Sequence, residues 1–213
     1  MKSTWLEQWE PESPEFWLGK GRTIAWQTLT ITTIALVLSF ATWFVMSAVV
    51  VRLPRIGFKY DTMQLFWLAA IPGLAGGTLR IVHTFLVPLF GTRGVVTVAT
   101  LLKLIPCIGI GLAVMNPETP FWVFLLLAFS AGFGGGDFSS FMPSTSLFFP
   151  KRLQGTALGI QAGVGNFVVS LTQFVTPWII GFAAFGALAG GSQTFTAGEV
   201  KHPKRIIPLS LLL

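Results

Sequence analysis

Charge is scarce in this chain. Lys, Arg, Asp and Glu make up 10% of its 213 residues, against roughly 25% in ordinary soluble domains. Together with a 53% hydrophobic content, that scarcity excludes a fully water-exposed surface and identifies an all-α integral membrane protein. Cys107 is the single cysteine, so no intrachain disulfide can form. Neither Ser-His-Asp, Cys-His nor any metal-ligand constellation is present, so the expectation is of no enzyme, no metal and no cofactor. The net charge of +6 has no long basic run behind it, which argues against nucleic acid as a partner.

Long apolar runs are plentiful. They fall at about 23–51, 62–90, 94–115, 120–149 and 155–189, each long enough for a bilayer core that needs about 20 helical residues. Five spans are therefore expected, four of them with an internal proline. Residues 1–22 form a polar amino-terminal segment containing Glu7, Glu10, Glu12 and Glu15, unlike the start of a secretory signal. Lys2, Lys20, Arg22, Arg93, Lys151 and Arg152 on one side outweigh Arg52, Arg55 and Lys59 on the other, which predicts a cytoplasmic amino terminus. Trp26, Trp67 and Trp122 lie near span ends, where aromatic belts form. Residues 190–213 read as an atypical basic tail: Lys201, Lys204 and Arg205 spoil the charge asymmetry, and Ile206 to Leu213 is too short to cross as a helix.

Arg80 is the one charged residue between Leu65 and Phe90. Its guanidinium stays protonated, and at about 1.5 Å per residue it lies roughly 22 Å from Leu65 and about 15 Å from Phe90, too deep for easy snorkelling. Buried membrane charges of this kind usually face a partner or an aqueous path, so an anion pathway is expected. Gly73, Gly76, Gly77, Arg80 and Thr84 share one helical face by spacing, a face that another helix can approach. His83, one turn beyond, reads as a polar neighbour and, with Asp137, as a possible coupling or counter-charge residue. Lys103 reads as a snorkelling residue.

The fourth run contains Gly132, Gly134, Gly135 and Gly136 followed by Asp137. That carboxylate either neutralises Arg80 in a static pair or carries protons in a coupled cycle. In the fifth run Gly155, Gly159, Gly163, Asn166, Ser170 and Gln173 repeat at three- and four-residue intervals, forming a face of small and polar groups. The Asn166 amide can donate to an anion without adding charge.

Together these segments resemble the nitrate/nitrite porter family (NarK type) of the major facilitator superfamily, from about Ala41 to Gln193. The resemblance is carried by Gly77-Thr78-Leu79-Arg80-Ile81, Val87-Pro88-Leu89-Phe90-Gly91, Ile105-Pro106-Cys107, Phe148-Phe149-Pro150-Lys151, and the signature-like stretch from Ala157 through Gly163, Gly165 and Asn166 to Phe167. It implies the amino-terminal helical bundle of a two-half transporter in a bacterial inner membrane, moving nitrate and nitrite by alternating access. It also implies that Arg80 and Asn166 contact the anion, with Phe138 packed against it and Phe40 nearby. Gly163 and Gly165 match signature glycines, and Gly91-Thr92-Arg93 a degenerate cytoplasmic loop.

Some positions depart from the family pattern. Ala162 and Val168 replace signature glycines, and Asp137 stands where an amide is expected. After Gln193 the resemblance stops and a sixth span is not evident, so the expectation is a half-transporter, inactive alone, whose carboxy-terminal half is supplied in cis or in trans. Two alternatives stay open: proton-coupled transport of another small solute through Asp137, and a non-transporting membrane assembly protein.

Overall fold

The computed structural model describes residues 8–181, 193–197 and 200–204. The end of the expected fifth span, 182–189, and the apolar terminus, Ile206 to Leu213, lie outside the described residues.

Helix begins earlier than the polar composition of 1–22 suggests. The Phe16 amide donates to Ser13 Oγ at 3.5 Å, Pro14 opens the first turn and Glu15 follows, a start signal strong enough to initiate helix within a polar segment. From there α1 (Pro14–Phe16) passes through a π turn (Trp17–Gly21) into α2 (Arg22–Val50). A 3-10 turn (Leu53–Ile56) ends at Gly57, whose φ of 104° suits glycine. Asp61 then starts α3 (Thr62–Leu102) through a capping box: the Gln64 amide donates to Asp61 Oδ1 at 2.7 Å and the Asp61 amide to Gln64 Oε1 at 3.0 Å.

Within α3, Gly91 takes φ 71° and ψ 158°, a conformation closed to other L-residues. The helix breaks there. His83 and Phe90 before the break and Val95, Ala99 and Leu102 after it line one cavity, so the two arms lie side by side. The bundle continues through α4 (Leu104–Met115), α5 (Phe121–Ala131), α6 (Phe133–Gly136), α7 (Phe138–Phe148) and α8 (Lys151–Gly181). Residues 193–197 and 200–204 add a feature that an all-α reading did not anticipate, the antiparallel strand pair β1 (Gln193–Ala197) and β2 (Val200–Lys204).

Among the described residues four helical stretches are long and apolar enough to cross a membrane: Pro14–Val50, Thr62–Met115, Phe121–Phe148 and Lys151–Thr176. The second is 54 residues long, or about 81 Å as straight helix, nearly three times a hydrocarbon core; the break at Gly91 resolves the excess.

Helix α2 is central and touches α3, α5, α6, α7 and α8. Its buried side packs in three layers: Val45, Met46 and Val49 with Leu68, Ile110 and Phe124; Leu36 and Phe40 with Val87, Val95, Ala99 and Phe141; and Ala25 and Leu29 with Trp17, Phe149 and Ala157. Close approach depends on α6, because a Cβ at Gly134 would collide with the Ser39 carbonyl and one at Gly135 would stand 2.7 Å from Trp43. Large apolar side chains face outward instead, among them Ile31, Phe66, Phe85, Leu112 and Phe174, the inverse of a soluble surface. Thr32, Thr42, Thr78 and Thr84 return their hydroxyl protons to carbonyls four residues back at 2.8–2.9 Å, as polar groups in hydrocarbon must.

Candidate functional site

Arg80 rises from the middle of α3's first arm and is half-buried. Its Nε donates to the Gly135 carbonyl at 3.2 Å, an acceptor on the glycine-rich turn of α6. The guanidinium carbon stands 5.7 Å from the Trp43 ring centroid and 5.4 Å from that of Phe138, so two aromatic rings hold the cation. Trp43 is itself fixed by Nε1 donating to the Pro72 carbonyl at 2.8 Å. Phe40 stacks on Phe138 with centroids 6.0 Å apart and planes 16° from parallel. Among the described residues no carboxylate pairs with Arg80, and Nε is its only hydrogen-bonding nitrogen. The terminal nitrogens, the paired donors that suit a planar oxyanion, are left without a partner there.

Asp137 is not the counter-charge of Arg80. The structure gives it Lys103, whose Nζ lies 2.9 Å from Asp137 Oδ2, and places His83 Nδ1 3.4 Å from Oδ1. Ser39 Oγ is 2.7 Å from Oδ2. Lys103 therefore does not snorkel: it is 4% exposed, and the carboxylate explains why an ammonium tolerates burial. The approach is charge to charge, since neither Nζ nor Oδ1 makes an aligned hydrogen bond.

The glycine face around Arg80 divides. Gly76 packs on Trp43, where an added Cβ would meet the indole at 3.0 Å, while Gly73 and Gly77 face open space among the described residues. Helix α8 divides likewise. Gly165 packs against Leu36 and Phe40, but Gly155, Gly159 and Gly163 meet nothing within 4 Å among the described residues. Asn166 is exposed on the open side, and its Nδ2 donates to the Ala162 carbonyl at 2.8 Å; among the described residues it makes no hydrogen bond to Arg80. Val168 sits buried.

Reading by residue type missed Trp43 and Lys103. Trp43 follows Phe40 by one turn on α2, which was a usable signal. Lys103 was as isolated in its apolar run as Arg80 in its own, and the same reasoning about depth applies to it.

Long apolar helices bundled around a half-buried arginine held between aromatic rings define the class, a multi-pass helical membrane protein. No family model matches the chain. Among curated proteins it is 66% identical over 195 residues to the probable nitrate/nitrite antiporter NarK2 of Thermus thermophilus, covering 92% of this chain and 43% of that protein. It is 45% identical over 195 residues to the nitrate/nitrite transporter NarU of Escherichia coli, covering 92% of this chain and 42% of that protein. The NarU of Salmonella typhimurium is 48% identical over 175 residues, covering 82% of this chain and 38% of that protein. The chain belongs with the NarK-type nitrate/nitrite porters of the major facilitator superfamily, and it spans about two-fifths of the length of these relatives.

Proposed function

We propose that this chain contributes the amino-terminal half of a nitrate/nitrite transporter, with Arg80 as its anion-binding residue. The observation that carries the reading is the guanidinium held between Trp43 and Phe138 with a single hydrogen bond through Nε. Two aromatic faces and one carbonyl fix the plane of the fork without neutralising it, so its terminal nitrogens are pre-oriented for a trigonal oxyanion.

Phe138 and Phe40 form the apolar wall beside that anion. Asn166 supplies a neutral donor once its amide leaves the Ala162 carbonyl, and the open glycines Gly159 and Gly163 admit a close-packed neighbour, with Gly165 holding α8 to α2. Five spans result when the chain is divided at Gly91: α2, the two arms of α3 with α4 completing the second, α5 to α7, and α8. The amino terminus is cytoplasmic and the membrane the bacterial inner membrane. The site is completed by a carboxy-terminal half, in cis or in trans, and alternating access is the rocking of the two halves about it.

The test is calorimetric titration of nitrate into the purified protein in lipid nanodiscs. Saturable binding that nitrite competes for supports the reading; nitrate heats no different from those of gluconate contradict it.

A further inference from the structure

Three ionisable side chains meet away from the open face of Arg80. Asp137 is 1% exposed, Lys103 4% and His83 7%. One carboxylate oxygen, Oδ2, is engaged by Lys103 and Ser39. The other, Oδ1, makes no hydrogen bond and faces His83 Nδ1 at 3.4 Å. On the other side of Nδ1, also at 3.4 Å, stands Ser140 Oγ, whose own proton goes to the His83 carbonyl at 2.8 Å. Nδ1 thus has Ser140 Oγ as its hydrogen-bond partner and the Asp137 carboxylate as the nearest charge, a setting that favours an N–H over a lone pair at that atom. In that tautomer the lone pair is on Nε2, on the edge of the ring that lies beside Gly136 of α6, and His83 is among the residues lining a cavity of about 430 Å³ with Leu86, Phe90, Gly94 and Val98.

The charges of Lys103 and Asp137 cancel, which leaves the imidazole as the group able to change the charge of the cluster. The other ionisable groups around it are Cys107 on α4, 3.6 Å from Thr42 Oγ1, and Arg80, one turn away on α3.

We infer that His83 is a proton-binding site, oriented by Asp137, whose occupancy is coupled to anion binding at Arg80. A solvent proton adds to Nε2, no other bond changes, and the ring becomes a second cation one turn from the guanidinium. That charge favours an anion at Arg80, and by reciprocity a bound anion favours the proton. The proton site stands on the cluster alone; the coupling rests on the anion-site reading above.

The 213-residue chain carrying His202→Gln retains His83 as its one histidine, so nitrogen NMR of 15N-histidine-labelled protein in nanodiscs reads it without overlap. Spectra are followed as the pH is lowered: the neutral ring is expected as the Nδ1–H tautomer, with Nε2 taking up a proton toward the acid end. Replacing gluconate by nitrate is expected to move the half-protonation point up by about one pH unit, with nitrate binding about tenfold tighter to the protonated form. A ring that stays neutral throughout overturns the proton site. A titration that nitrate leaves in place, while calorimetry shows nitrate bound, overturns the coupling. If His83 titrates and nitrate binds at no pH, the proton site holds and the anion-site reading fails.

Discussion

Lys103 and Asp137 face each other at 2.9 Å, both almost wholly buried, and Asp137 directly precedes the Phe138 that packs on Arg80. The pair ties the junction between the second arm of α3 and α4 to the turn between α6 and α7. Among the described residues Arg80 is left without a carboxylate partner, the condition on which the proposed anion site depends.

Breaking that pair from one side leaves a buried charge alone. Lys103→Met is expected to destabilise the protein by about 3–5 kcal/mol, and the double change with Asp137→Asn by much less. Thermal unfolding of the two singles and the double in detergent measures this; a double variant as unstable as the sum of the singles contradicts the ion pair.

Two glycines separate packing from access. Gly134→Ala drives a methyl into the Ser39 carbonyl and is expected to lower the unfolding temperature sharply, whereas Gly163→Ala, with nothing within 4 Å, leaves it unchanged. Equal effects of the two substitutions rule out the division of glycines into packed and open sets.

The amino-terminal segment caps α8 from a distance. The Lys151 amide donates to Glu12 Oε1 at 2.8 Å, and Trp9 Nε1 donates to the Leu147 carbonyl at 3.0 Å while its ring packs on Phe148. Glu12→Ala is expected to cost about 0.5–2 kcal/mol, as loss of a helix cap does, and to speed hydrogen exchange at residues 151–154. Unchanged exchange there removes the cap from consideration.

Tyr60 gives a pH dependence outside the spans. Its hydroxyl donates to the Thr119 carbonyl at 2.5 Å, and burial raises its pKa above the ordinary 10.0. The folded state then holds its phenolic proton more tightly than the unfolded chain, so this contribution is full below pH 10 and fades as pH rises above it. Alkaline unfolding from pH 9 to 11 is expected to lose that component in Tyr60→Phe; identical profiles contradict it.

Helix and membrane character were legible from composition because apolar runs of sufficient length have few other outcomes. The turn at Gly91 was legible as a boundary between runs, since only glycine takes its φ and ψ. The helix at Pro14 was obscured because start signals are polar, and the polar residues around Ser13 read as a tail. Arg80 was found by its isolation, yet its partners were not: Trp43 and Gly135 reach it from α2 and α6 through tertiary packing, which has no period in the sequence. The pairing of Asp137 with Lys103 was not legible, because depth along a helix fixes height in the membrane and leaves direction around the bundle undetermined.

The central claim is that the Arg80 fork binds nitrate, and charge-preserving substitution tests it most directly. Nitrate affinity measured by calorimetry in nanodiscs is expected to fall about 10- to 100-fold in Arg80→Lys, which keeps the charge and loses the planar fork, and to vanish in Arg80→Ala. Nitrate affinity in Arg80→Ala equal to that of the unmodified protein would contradict it.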